Sequence, residues 1–124
     1  MIYGIGVDLI EIDRIKQAIE RNGQRFIDRV YTVEEQAYCS QRPSYACYAA
    51  RFTAKEAFLK AMGTGLRRGM NWRDIEVYTD DLGKPYLRIH GYLQERCQTE
   101  RLQRIHLSLS HSTAYAIAQV VIEC

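Results

Sequence analysis

The stretch from Ser44 to Met62, closed by Gly63, constrains the fold more than any other part of the chain. Its apolar residues recur at helical spacing. Ala50, Ala54, Ala57, Ala61, Cys47 and Phe58 crowd one side, and small side chains there permit close packing against a neighbouring helix or sheet. Gly63 is the expected stop, because glycine takes the left-handed conformation at a helix C-terminus without penalty. Yet Glu56 and Lys60 sit inside this stretch, one turn apart. As an i,i+4 pair they would stabilise the helix by only about 0.2–0.5 kcal/mol. A partly buried charge pair costs more than that in desolvation. Two readings stand: Glu56 is satisfied by a salt bridge to Lys60, or the partners come from outside the helix, an ion for Glu56 and a phosphate for Lys60. Lys55 points about 100° away from Glu56 and reads as a solvated or supporting lysine.

The rest of the chain supplies the elements that this helix needs. "IYGIGVDLI", residues 2–10, alternates as a strand, with Ile5, Val7 and Leu9 on one face and Gly4, Gly6 and Asp8 on the other. The two glycines leave their face open beside the Asp8 carboxylate, so something can approach closely there. "EIDRIKQAIERNG" reads as a short helix capped by Asp13 and ended by Gly23, burying Ile12, Ile15 and Ile19 and turning Arg14 and Arg21 outward. Thr32 and Glu35 form a capping-box pattern for a further helix. From residue 74 the period becomes two: "DIEVYTD", the turn "DLGK" and "PYLRIH" predict a hairpin. "YLQERCQTERL" suits a short helix, and "IHLSLSHSTAYAIAQVVIE" two strands joined at "SHSTA". The expected fold is α+β, a small, mostly antiparallel sheet with helices on one face, in a single domain spanning 1–124.

Composition excludes several classes. The 124 residues are 47% hydrophobic and 26% charged, ordinary for a soluble domain. No apolar run approaches the ~20 residues that cross a bilayer. The apolar start without a basic n-region reads as a mature N-terminal strand, not a signal peptide. Cys39, Cys47, Cys97 and Cys124 form no CxxC pair, so a reducing cytosol and buried thiols are expected. A net charge of +2 is too weak for a dedicated nucleic-acid binder. Basic residues are nevertheless clustered: 14–29, Arg67/Arg68/Arg73 and Arg96/Arg101/Arg104. Such patches favour anionic partners. An RNA-binding module is the rival reading, but it lacks aromatic platforms, and Asp8 would repel phosphate without an ion. A magnesium-dependent pyrophosphate hydrolase is the second rival.

The chemistry-bearing residues fall in three places. Asp8 and Glu56 can share a hard cation such as magnesium, which takes one or two carboxylates and completes its shell with water and phosphate oxygens. "GTGLRRG", residues 63–69, is glycine-rich but is not a Walker loop, since it lacks the GK[ST] ending and follows a helix. "SLSH", Ser108 to His111, ends a strand with a hydroxyl and an imidazole and suits ligand binding better than nucleophilic catalysis, because adjacent strand residues face opposite ways.

Together "GIGVDLIEIDR", "RFTAKEAFLKAMGTG" and "LSLSH", with "GKPY" at 83–86, resemble the short class of 4′-phosphopantetheinyl transferases, the holo-acyl-carrier-protein synthases, over the whole chain. The resemblance implies transfer of the phosphopantetheine arm of coenzyme A to a serine of apo acyl carrier protein, releasing adenosine 3′,5′-bisphosphate, in fatty acid biosynthesis in the cytoplasm. It implies magnesium, with manganese as an alternative, held by Asp8 and Glu56. Lys60 would contact coenzyme A phosphates, and Gly63, Ser110 and His111 would line the nucleotide site. Glu56 and Lys60 would be the catalytic pair, with Glu56 the base for the carrier serine. Arg14 and Arg21 would dock the carrier. The resemblance further implies a homotrimer with active sites between subunits, for which the alanine-rich helix face and the tyrosines offer surface. The stretch 39–50, which includes Arg42, departs from the family pattern.

Overall fold

The first strand, β1 (Ile2–Glu11), alternates between two very different surroundings. Gly4, Gly6 and Asp8 face α4 (Ala46–Met62), the long helix. A Cβ on Gly6 would lie 1.9 Å from the Ala57 carbonyl oxygen, and one on Gly4 2.0 Å from that of Ala61. What approaches the glycine face is thus the backbone of α4 itself. The chain is seen in a computed structural model, which describes residues 1–67 and 69–124. Arg68 of the second basic cluster lies outside them.

β1 pairs antiparallel with β5 (Tyr115–Glu123), which pairs antiparallel with β4 (Arg104–His111), giving the order β1-β5-β4. A separate hairpin joins β2 (Ile75–Thr79) to β3 (Pro85–Ile89). Its turn is held by Asp80, whose carboxylate accepts from the Leu82 and Lys84 N–H groups. The main core lies between α4 and the sheets: Ala54, Ala57, Phe58 and Ala61 meet Ile75, Val77, Ala118, Val120 and Ile122. The alanine-rich face of α4 is therefore spent inside the chain's own core. It is not the interface surface expected from sequence.

Several local expectations need correction. β1 runs directly into α1 (Ile12–Asn22), because the Ile12 N–H still bonds to Ala114 O at 2.8 Å; Glu11, not Asp13, holds the cap position. Asp13 sits in the first turn and accepts from Gln17. Gly23, with φ 61°, does end α1, but it also begins α2 (Gln24–Val30), a helix the sequence reading did not separate. The capping box at Thr32 and Glu35 forms as expected and opens α3 (Val33–Ser40). α4 starts at Ala46, two residues later than expected, and ends at Gly63, with φ 78°. The last helix is α5 (Gly91–Thr99). Cys39, at the end of α3, and Cys47, at the start of α4, are joined in a disulfide, so two of the four cysteines are not thiols. Cys97 and Cys124 are free.

The sheet face turned away from α4 is apolar and bare. Ile5, Val7 and Leu9 are 60%, 52% and 61% exposed, and Tyr115 and Ile117 beside them 48% and 40%. No helix among the described residues is long and apolar enough to cross a membrane.

Candidate active site

β1 and α4 run past each other so that one helical stripe meets one strand face. Ala61 lies over Gly4, Ala57 over Gly6, and Thr53 over Asp8. The spacing of four on the helix matches the spacing of two on the strand, since each covers roughly 6–7 Å. This register brings Asp8 to the region of Glu56 and Lys60.

Lys60 does not pair with Glu56. Its Nζ donates to Asp8 Oδ1 at 3.0 Å and to Val7 O at 3.1 Å, while the side chain stays 54% exposed. Asp8 Oδ2 accepts from Thr53 Oγ1 at 2.6 Å. Glu56 is half-buried beside them. Burial pushes its carboxyl above the usual glutamate range, the Asp8 charge pushes it further, and Lys60 opposes both. Two carboxylates on one cavity with one lysine leave negative charge that a cation would satisfy. A cavity of about 400 Å³ opens here, lined by Asp8, Glu56, Arg14, Phe26 and Phe52 among others. Arg14 and Arg21 are both exposed and stand seven residues apart on α1, on one face.

Lys55 corrects the sequence reading most sharply, because it is fully buried. Its Nζ donates to Glu35 Oε1 at 2.7 Å, Ile75 O at 2.6 Å, Val30 O at 2.9 Å and Trp72 O at 3.2 Å. Burial pulls its pKa down and the Glu35 carboxylate resists. Glu35 also accepts from the Thr32 and Val77 N–H groups. One ammonium thus ties α4 to the end of α2, to α3 and to β2, and fixes the part of the helix that carries Glu56.

A second cavity, of about 390 Å³, opens near the start of α4, lined by Tyr38, Arg42, Ser44, Arg51, Thr79 and His111 among others. Arg51 is 4% exposed, and its Nε has no hydrogen-bond partner among the described residues. Its guanidinium lies 4.3 Å from the Tyr38 ring centre and that of Arg42 3.5 Å. A buried cation with an unpaired donor beside a second arginine is suited to an anion. The sequence signal was an arginine inside an apolar helix, the same signal read for Glu56 and Lys60. His111 reaches this cavity from the end of β4, whereas Ser110 faces the bare side of the sheet, opposite Ile117. Within the chain the two do not share a pocket among the described residues. Gly63 serves as the α4 cap, its N–H donating to Leu59 O and Lys60 O. Among the described residues no group of three or more His, Cys, Asp and Glu side chains is placed to hold a metal.

The family model described as the 4′-phosphopantetheinyl transferase superfamily matches residues 4–120. Holo-[acyl-carrier-protein] synthase of Geobacter sulfurreducens is 47% identical over 124 residues, covering 99% of this chain and 98% of that one. The crystal structure of holo-[acyl-carrier-protein] synthase from Neisseria meningitidis matches with a TM-score of 0.93 at 38% identity, covering all of both chains. The Helicobacter pylori synthase, solved in complex with coenzyme A, matches with a TM-score of 0.86 at 27% identity, covering 96% of this chain and 99% of that one.

Proposed function

This chain belongs to the 4′-phosphopantetheinyl transferase superfamily, and from that premise we propose that it moves the 4′-phosphopantetheine arm of coenzyme A onto a serine of apo acyl carrier protein. Adenosine 3′,5′-bisphosphate is the other product. The observation that carries the reading is that Asp8 from β1 and Glu56 from α4 line one cavity while Lys60 of the same helix bonds to Asp8.

Asp8 and Glu56 fit magnesium, because a hard cation with two carboxylates keeps positions for phosphate oxygens. When bound, magnesium would neutralise the pyrophosphate and favour departure of the bisphosphate. Lys60, already beside Asp8 and half free to solvent, adds a positive charge for the phosphates. Phosphoryl transfer depends on such positioning and neutralisation. Glu56, directly or through a water on the ion, is the base for the carrier serine, since the helix fixes its position beside the ion site. Arg42, Arg51 and His111 take the remaining phosphate of the co-substrate in the second cavity. Gly63 caps the helix that carries the pair, and Ser110 reaches a site only from across a subunit boundary. Arg14 and Arg21 dock the acidic carrier.

The whole of residues 1–124 forms one catalytic domain acting in the cytoplasm, in fatty acid biosynthesis. The bare stripe of Ile5, Val7, Leu9, Tyr115 and Ile117 supports a homotrimer with sites between subunits, since a soluble chain rarely leaves such a patch uncovered. A monomer in sedimentation equilibrium at micromolar concentration would contradict that assembly. Two substitutions separate the roles. Asp8→Ala loses turnover chiefly through weakened magnesium use, and an unchanged magnesium titration would refute the ligand assignment. Arg14→Glu weakens carrier binding and spares coenzyme A binding, whereas an equal fall in both would move the dock elsewhere.

A further inference from the structure

We propose that Thr53 is a positioning residue for the metal site, holding the Asp8 carboxylate in the orientation that presents it to the ion. The inference rests on the reading of Asp8 as a metal ligand. Thr53 is fully buried, and its hydroxyl donates to Asp8 Oδ2 at 2.6 Å. It occupies the third place of the stripe whose other two places, Ala57 and Ala61, set their backbone against Gly6 and Gly4, where the strand has no room for a Cβ. A hydroxyl buried in such a stripe costs free energy unless it is hydrogen-bonded. A threonine inside a helix ordinarily bonds back to its own helix carbonyls. This one bonds across to the strand instead.

The two contacts on Asp8 differ in rigidity. Lys60 reaches Oδ1 with a long, half-exposed side chain that has a second task at the phosphates. Thr53 is β-branched, stiff at χ1 and enclosed on all sides. The fixed edge of the carboxylate is therefore the Oδ2 side, and the lone pairs left over are aimed by that one bond. Hydrogen bonds to metal-bound carboxylates from the surrounding shell typically govern metal affinity by about 10–100-fold.

The test is direct. Mn²⁺ is titrated into the protein saturated with coenzyme A, and bound ion is read by electron paramagnetic resonance, with urea unfolding of each variant alongside. Thr53→Val, which keeps the shape and loses the hydroxyl, is expected to weaken Mn²⁺ binding about 10-fold or more. Thr53→Ser, which keeps the hydroxyl, is expected to stay within about threefold of wild type, well inside that range. Thr53→Ala serves the same purpose if the valine variant does not fold. Wild-type Mn²⁺ affinity in the valine or alanine variant, with binding lost in Asp8→Asn, overturns the inference and leaves the role of Asp8 standing. A serine variant as weak as the valine one assigns Thr53 to packing alone and also overturns it. Equal Mn²⁺ binding in Asp8→Asn and wild type removes the ligand reading, and this inference falls with it.

Discussion

Gly6→Ala probes the contact on which the site is built. A Cβ there would meet Ala57 O at 1.9 Å and Ala61 N at 2.7 Å, and both atoms are backbone. Carbon and oxygen come no closer than about 3.3 Å without repulsion, so β1 and α4 must separate by more than about 1 Å. No side chain can rotate away to relieve this. Overpacking typically costs about 1–3 kcal/mol, and the rigid neighbours place this case at the top of that range. Alanine returns about 0.4–1 kcal/mol by restricting the unfolded chain. The expected net loss is about 2–2.6 kcal/mol, readable as a lower urea midpoint at fixed protein concentration. The same separation carries Asp8, two residues along the strand, away from Thr53, Glu56 and Lys60. Misplacing a reacting group by about 1 Å costs on the order of 100-fold in rate. The assay is the initial rate of carrier modification on folded variant. A wild-type midpoint together with a wild-type rate would refute the claim that glycine is required for helix and strand to meet here.

Lys55→Met should be costly although methionine has a similar length. It leaves Glu35 buried without its cation and three carbonyls without their donor, which for a broken buried pair amounts to about 3–5 kcal/mol. A loss below about 1 kcal/mol in urea unfolding would show that the network relaxes. Glu56→Gln should stabilise the metal-free protein while abolishing turnover. Because the folded carboxyl holds its proton to higher pH than the unfolded one, the stability it contributes is full below the ordinary glutamate pKa and is lost as pH rises through the raised value. The variant should therefore unfold later than wild type at neutral pH in chelator and match it in acid. Equal midpoints at both pH values would contradict the burial and charge ascribed to Glu56.

Much of this was legible in the residues. The period-two pattern of β1, the capping box at Thr32, the glycine stop at 63 and the "DLGK" turn each encode a local geometry, and each is found close to where it was read. Asp8, Glu56 and Lys60 stood out because charges amid apolar sequence need partners, and the fold brings them together. What escaped was long-range. Lys55 reads as either a solvated or a supporting lysine until Glu35 and three carbonyls, 17 to 25 positions away, are seen to enclose it. The Cys39–Cys47 bond depends on how two helices meet across a turn. The glycine face of β1 announced a close neighbour but could not say that the neighbour was a backbone. Thr53 carried no signal of its own, because its value lies in the strand residue opposite.

The central claim is that Asp8, Glu56 and Lys60 hold coenzyme A for attack by a carrier serine. It is tested most directly by the intact mass of an apo acyl carrier protein after incubation with this chain, coenzyme A and magnesium. The account predicts a gain of one phosphopantetheine arm per carrier, absent when chelator replaces magnesium. An unmodified carrier beside fully folded protein, or equal modification in chelator, would contradict it.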